Sequence, residues 1–237
     1  MTANTAVARV VGRRAGLGLC VAWLCMAGSV GGQANPPAAE DRPPADVMER
    51  HTASATVQEV AHWVRSTGDH QGLPYVLVDK IDARVFVFNR RGRWVGSAPA
   101  LLGLTRGDAL PPGSAHKPLS HLQPQERITP AGRFVAELGR NVSGQTILWV
   151  DYEQAISLHP VRSLNAQERR LERLASTTPE DNRISYGCIN VPVMFWRHVV
   201  LPTFEGTPGI VYVLPDSPAI PSVLVHFQSQ PPESVAK

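Results

Sequence analysis

Apolar and polar residues alternate along most of the chain after residue 73, and this alternation is the feature that most limits its fold. Residues 75–80 and 84–89 show it most clearly, and Asp82-Ala83 between them is typical of a tight turn. Successive side chains of a strand point to opposite faces, so a period of two predicts strands rather than helices. The same pattern predicts five further strands, at residues 94–102, 132–138, 146–151, 155–159 and 210–214. We therefore expect a mainly β fold, a β-sandwich or closed sheet with one or two short helices.

Segments with other patterns set the expected order of the domain. Apolar residues at helical spacing precede the first strand: Val57, Val60, Ala61 and Val64. Residues 104–130 are polar and rich in Pro and Gly, which indicates a long functional or mobile loop. The expected layout is a leader at 1–34, a disordered Pro/Ala-rich segment at 35–45, a helical extension at 46–72, the main domain at 73–216 and a C-terminal tail at 217–237.

The first 34 residues have the composition of an export signal. Arginines precede an apolar stretch at residues 15–30, and small residues close the segment. The apolar stretch is shorter than the ~20 residues that span a bilayer. We therefore expect cleavage, a mature chain without a membrane span, and a location in the periplasm or cell wall.

The charge of the chain lies largely in this leader. The whole sequence has 23 basic and 20 acidic residues, and three of the basic ones are Arg9, Arg13 and Arg14. Without them the mature chain has 20 of each sign, so charge gives no reason to expect nucleic acid or a membrane surface as a partner.

Cys188 is the thiol that remains if Cys20 and Cys25 leave with the leader. A lone thiol in an oxidising compartment is either buried and inert or kept for its reactivity. Pro192 and the apolar stretch after it predict a helix that begins just after Cys188. A helix N-terminus favours the thiolate and would lower the pKa of Cys188.

Acyl transfer by a thiol also needs a base and donors for the developing oxyanion. His159, at the end of a predicted strand, is the candidate base, and the backbone N–H groups of Gly187 and Cys188 are the candidate oxyanion donors. Four neighbours are candidates for substrate contact: Arg183, Ser185, Tyr186 and Asn190. Each also has an ordinary alternative, a surface position for Arg183, backbone bonding for Ser185 and Asn190, and packing for Tyr186.

No metal or other cofactor is expected. His116 and His121 lie in the long loop, but their spacing matches no standard ligand pattern. Residues 165–175 combine a capping pattern, Asn165 to Glu168, with a narrow apolar face at Leu171 and Leu174. We expect a short charged helix there that covers the site rather than building the core.

Residues 185–190, Ser-Tyr-Gly-Cys-Ile-Asn, resemble the signature of the L,D-transpeptidase catalytic domain (the YkuD-type domain). Residues 128–134, Ile-Thr-Pro-Ala-Gly-Arg-Phe, and the strand that ends in His159 extend the resemblance, which covers residues 75–214. Two positions depart from the family pattern. Tyr186 stands where the family has a His, and 29 residues separate His159 from Cys188 where the motif usually has under 20.

The resemblance implies a β-sandwich of the L,D-transpeptidase type and a cofactor-free cysteine acyltransferase acting on peptidoglycan stem peptides. It implies Cys188 as nucleophile and His159 as a base oriented by a backbone carbonyl. The donor bond would join a meso-diaminopimelate-type residue to a terminal D-alanine. Two alternatives stay open, an L,D-carboxypeptidase or endopeptidase that uses water, and an inactive peptidoglycan-binding module, which Tyr186 makes plausible. The acceptor and the oligomeric state also stay open.

Overall fold

The computed structural model describes residues 53–216 and Phe227. The expected export leader at 1–34, the segment at 35–45 and the start of the helical extension lie outside the described residues. The predicted tail at 217–237 also lies outside them, except for Phe227.

The described part of the chain is mainly β, as predicted. Its strands are β1 Tyr75–Asp79, β2 Arg84–Phe88, β3 Trp94–Pro99, β4 Leu102–Gly103, β5 Gly132–Arg140, β6 Thr146–Asp151, β7 Ile156–Pro160, β8 Arg183–Ser185, β9 Ile189–Val191 and β10 Gly209–Val213. Eight of them form one sheet in the order β3-β2-β1-β10-β5-β6-β7-β9, and β4 pairs separately with β8. The alternating segments thus form strands close to their predicted bounds.

The sheet buries both faces of its central strands. One face of β1 contributes Val76 and Val78 to a large cluster that also contains Leu158 of β7 and Ile189 of β9. The strands between β1 and β9 in the sheet also contribute residues to this cluster, so one face of the sheet forms a continuous core. The other face of β1 contributes residues such as Tyr75 to a second cluster, against the N-terminal helix.

The N-terminal helix is Ala55–Thr67. The Ser54 side chain accepts a hydrogen bond from the Val57 N–H, and Gly68 ends the helix in the left-handed conformation. The apolar residues predicted to share one helical face are buried: Val57, Val60, Ala61 and Val64. They pack in the same cluster as Phe227.

Two short parallel strands bring the predicted site together. β7 pairs with β9 in the register Leu158↔Ile189, His159↔Asn190 and Pro160↔Val191. A parallel pair needs a long crossover, and here the crossover contains the charged helix, Arg170–Ala175. β8 and β9 have three residues each and were not predicted, because such short strands show no alternation that can be recognised.

The C-terminal helix corrects one expectation. It comprises Val193–Phe195, a wider π-type turn at Trp196–Val200, and Leu201–Phe204. Strand β9 separates its start from Cys188, so the thiol does not lie directly at the helix N-terminus.

The long loop contains three single-turn 3-10 helices: Ser114–His116, Leu119–His121 and Pro124–Glu126. Within residues 53–216, no helix has the length and apolar character needed to cross a membrane.

Candidate active site

Cys188 lies between β8 and β9 with its thiol half-buried. The Ser157 hydroxyl donates to its Sγ at 3.5 Å, and Sγ lies 3.6 Å from the Ala155 carbonyl oxygen. Burial raises the pKa of the Cys188 thiol, but a hydrogen bond and the charge of His159, together with donors from Ser157, lower the pKa more. The net direction is downward, which favours the thiolate.

Strand β7 supplies the groups that face the thiol. Ser157 and His159 are two residues apart on one strand, so their side chains leave the same face of the sheet. The neighbouring strand β9 directly follows Cys188, and His159 is paired with Asn190 across the two strands. Strand register therefore sets the spacing between the predicted nucleophile and the predicted base.

The ring nitrogens of His159 have separate partners. Nδ1 lies 2.9 Å from the Pro160 carbonyl oxygen, and Nε2 lies 3.1 Å from Nδ2 of Asn190. A carbonyl can only accept, so Nδ1 carries the proton and Nε2 offers its lone pair. The Pro160 carbonyl occupies the place that the family resemblance implies for the group that orients the histidine.

The nucleophile turn, residues 185–188, is braced from within and from outside. The Ser185 hydroxyl donates to the Cys188 carbonyl at 2.6 Å and accepts from the Gly187 N–H at 3.1 Å. The Thr129 hydroxyl, which is fully buried, donates to the Gly187 carbonyl at 2.8 Å. Ser185 therefore bonds the backbone, which was the expected alternative to contact with a substrate.

Gly187 is required by the geometry of this turn. Its φ is +127°, a conformation that L side chains rarely adopt. A Cβ at this position would lie 2.7 Å from the Ile128 carbonyl oxygen and 2.9 Å from Ile156 Cδ1. The Thr-Pro stretch at residues 129–130 therefore packs directly against the turn that carries the thiol.

The oxyanion donors predicted from the sequence differ in their surroundings. The Gly187 N–H already donates to Ser185, so it faces into the turn. The Cys188 N–H is consequently the stronger candidate of the two.

Tyr186 borders a cleft beside the thiol. Among the described residues, the walls of this cleft come from Tyr186, the long loop and the turn before β7; they include Leu110, Lys117, Leu122, Glu126, Gln154 and Ala155. The Arg127 guanidinium lies 4.2 Å above the Tyr186 ring, so this ring is packed on one face. The long loop supplies most of this lining, and residues 165–175, which were expected to cover the site, do not contribute to it.

Glu126 holds the long loop in shape. Its carboxylate accepts from the Ser114 hydroxyl at 3.0 Å, from Lys117 Nζ at 2.5 Å and from the Gln123 N–H at 2.9 Å. The hydrogen bond from Lys117, followed by the one from Gln123, lowers the pKa of Glu126 from 4.5 to about 2.

The charged helix contacts the predicted base indirectly. Leu174 is buried against Leu101 and Val161, while Leu171 is exposed. Arg170 Nη1 donates to Asn190 Oδ1 at 2.7 Å. Asn190 is 1 % exposed and lies between the helix and His159, so it bonds these groups instead of facing a substrate.

Arg183 lies in a buried ion cluster away from the thiol. Its Nη2 donates to the Lys80 carbonyl at 2.6 Å and to Asp216 Oδ1 at 2.7 Å, and its side chain is 7 % exposed. Burial raises the pKa of Asp216, but the Gly107 N–H, Lys80 and Arg183 lower it more. With its guanidinium paired in this way, Arg183 is not retained as a candidate for binding a substrate carboxylate.

Ser157, Thr129 and Arg170 had no role predicted from the sequence. The spacing of two residues between Ser157 and His159 could have indicated that Ser157 faces the site. The Thr-Pro motif could have indicated a role for Thr129. The contact between Arg170 and Asn190 spans 20 residues and had no local signal. Within residues 53–216, no group of three or more His, Cys, Asp or Glu side chains is placed to hold a metal ion.

Among known proteins, the chain is similar to solved structures, whereas no family model and no curated protein matches it. Among solved structures, the chain is similar to the catalytic domain of the L,D-transpeptidase from E. faecium, determined by NMR. The two are 18 % identical, the match covers 59 % of this chain and 95 % of that one, and the TM-score is 0.33.

Proposed function

We propose that this chain is an exported cysteine L,D-transpeptidase that forms or exchanges peptide bonds on peptidoglycan stem peptides through an acyl-enzyme at Cys188. The observation that carries the proposal is a thiol of lowered pKa beside an imidazole whose Nδ1 proton is held by a carbonyl. The motifs around His159 and Cys188 supply the proposed substrate class. The periplasm or cell wall is the proposed location, from the composition of residues 1–34.

The first half-reaction breaks the bond to the terminal D-alanine of the donor stem. The Cys188 proton passes to His159 Nε2, and the thiolate attacks the carbonyl carbon that precedes D-alanine. The Cys188 N–H donates to the oxyanion that develops on the carbonyl oxygen. The imidazolium then returns its proton to the leaving amine, so D-alanine departs and a thioester remains on Cys188.

The second half-reaction transfers the acyl group. An amine of another stem attacks the thioester, and His159 Nε2 takes the proton that this amine loses. The new peptide bond forms as the Cys188 thiolate leaves and is protonated again. Tyr186 and the cleft below the long loop are the proposed binding surface for the stem, because Ala155, whose carbonyl oxygen lies 3.6 Å from Sγ, lines this cleft.

The test follows the thiol itself. The chain is incubated with a tetrapeptide stem that ends in D-alanine, and mass spectrometry measures D-alanine release and the mass of the Cys188 peptide. We expect a thioester adduct on Cys188 and a cross-linked product when an amine acceptor is present. Cys188→Ala should fold normally and lose both, and Cys188→Ser should be nearly inactive because a hydroxyl ionises far less readily.

The same assay separates the alternatives. Release of D-alanine without an amine-dependent product would identify a carboxypeptidase, in which water replaces the acceptor. Binding of peptidoglycan with no adduct on an intact thiol would identify an inactive wall-binding module. From the family resemblance, carbapenem-type β-lactams should acylate the wild type and leave the mass of Cys188→Ala unchanged. Turnover by Cys188→Ala at the wild-type rate would overturn the proposed mechanism.

A further inference from the structure

Arg170, the first residue of the charged helix, has a side chain that is nearly buried. It is 12 % exposed, whereas the side chain of the adjacent Arg169 is 68 % exposed. Its Nε pairs with the Glu168 carboxylate, and its Nη1 donates to Asn190 Oδ1 at 2.7 Å. A buried charged side chain generally has specific partners, and here they point to the predicted base.

The guanidinium fixes which way the Asn190 amide points. A guanidinium has donors and no acceptor, so the amide must present its oxygen to Arg170. Its NH2 group then faces His159 Nε2, at 3.1 Å. With one side of the amide held by a cation, the flipped orientation would place a donor against a donor.

The amide orientation matches the proton position that the Pro160 carbonyl sets on the imidazole. Nδ1 donates to this carbonyl at 2.9 Å, so in the neutral ring Nε2 carries the lone pair, and the Asn190 NH2 group meets that lone pair. Nε2 is therefore left as the basic nitrogen.

We propose that Arg170 is a positioning residue for His159, acting through Asn190. The proposal rests on the proposed function, because it assigns Arg170 a part in the proton transfer between Cys188 and His159. The thiol proton takes the place of the Asn190 N–H at the single lone pair of Nε2, which leaves a thiolate and an imidazolium whose Nδ1–H still donates to the Pro160 carbonyl. When the imidazolium gives the Nε2 proton to the leaving amine, the amide held by Arg170 again presents its NH2 group to Nε2.

A spectroscopic test reads this arrangement without a substrate. In the full chain labelled with 15N-histidine, NMR distinguishes a protonated from an unprotonated ring nitrogen, and His159→Ala assigns the signals. We expect the wild type at neutral pH to carry its proton on Nδ1. In Arg170→Met the amide is free to turn, so Nε2 should lose its hydrogen bond from Asn190 and its 15N signal should shift, while the Pro160 carbonyl keeps the proton on Nδ1.

Matched variants isolate the role of Arg170. Arg169→Met makes the same change one residue earlier, on an exposed side chain paired with Glu172, and should leave the His159 signals unchanged. Asn190→Asp presents only acceptors to His159, so Nε2 loses its hydrogen-bond donor and its 15N signal should shift even with Arg170 in place. It also gives the readout if Arg170→Met fails to fold.

Acylation of Cys188 provides the kinetic test. Arg170→Met should slow it about tenfold or more, as removal of a group that orients a functional residue does elsewhere. Arg170→Lys keeps a donor for the Asn190 oxygen and should recover part of the rate. Arg169→Met should stay within about twofold of the wild type.

The proposal is overturned if Arg170→Met and Asn190→Asp leave the His159 nitrogen signals unchanged. It is also overturned if Arg169→Met slows acylation as much as Arg170→Met. Failure of the proposed function would look different. Neither the wild type nor any variant would form an adduct on Cys188, but the ring-nitrogen signals of His159 would still change in Arg170→Met.

Discussion

Lys80 is the residue whose replacement tests how the fold holds the nucleophile turn. Its side chain is completely buried, and its Nζ donates to the Gly107 carbonyl at 2.6 Å, to Asp108 Oδ1 at 2.7 Å and to the Thr129 carbonyl at 3.0 Å. Asp216 Oδ2 lies 3.2 Å from the same nitrogen. Lys80→Met keeps most of the volume and removes the charge and every donor.

The expected loss follows from what remains buried. Removing one partner of a buried ion pair costs about 3–5 kcal/mol, because the other charge stays uncompensated. Asp108 is 40 % exposed and can regain water, and Asp216 keeps Arg183, so the lower end applies. We expect the free energy of unfolding to fall by about 3 kcal/mol. For a chain of this size that corresponds to a fall of about 6–12 °C in melting temperature.

Urea unfolding measures the change, with the slope of the transition expected to stay constant. Lys117→Met is the matched control, since Lys117 also pairs with a carboxylate but is 43 % exposed, and its effect should be much smaller. Lys80→Met should also slow alkylation of Cys188, because Thr129 connects Lys80 to the Gly187 carbonyl. A loss of stability below about 1 kcal/mol would refute the reasoning that the buried charge needs its partner.

Three further predictions concern the site and the loop. His159→Ala should lower acylation of Cys188 about a hundredfold or more, as expected for loss of a general base, while the exposed His198→Ala should behave as wild type in the same mass-spectrometric assay. Gly187→Ala should strain the turn by about 1–3 kcal/mol and slow acylation, and wild-type rates would contradict the assigned geometry. The pKa of Glu126 is lowered from 4.5 to about 2, so its contribution to stability should be complete above pH 4.5 and lost as the pH falls toward 2. Melting temperatures measured at several pH values should show this loss. In Glu126→Gln the melting temperature should depend less on pH over the same range.

The parts of the fold that sequence could predict are those with a repeating pattern. Strands β1, β2, β5 and β6 have enough alternating residues for a period of two to be recognised, and the valines of the N-terminal helix show helical spacing. β8 and β9 have only three residues each, too few for a period to be seen. Their pairing, β8 with β4 and β9 with β7, depends on contacts between distant parts of the chain.

The environment of Cys188 shows the same limit. The pKa of Cys188 is lowered, as expected, but the predicted cause, a helix N-terminus next to the thiol, was wrong. The apolar stretch after Pro192 indicated a nearby helix, and nothing local indicated that β9 lies between that helix and the thiol. The actual causes are His159 and Ser157, which lie about 30 residues earlier and reach Cys188 only through the pairing of β7 with β9.

The pairing of β7 with β9 also bears on how such a chain can change over evolution. Hydrogen bonds between two adjacent strands set the distance from base to nucleophile, and the segment that connects the strands does not enter into it. That segment can therefore gain or lose residues without disturbing the reacting groups, and its length is open to variation. In this chain it contains a helix, and one arginine of that helix reaches back to the strand pair. A connection that is free to vary in length can in this way become a place where new control over the reaction is acquired.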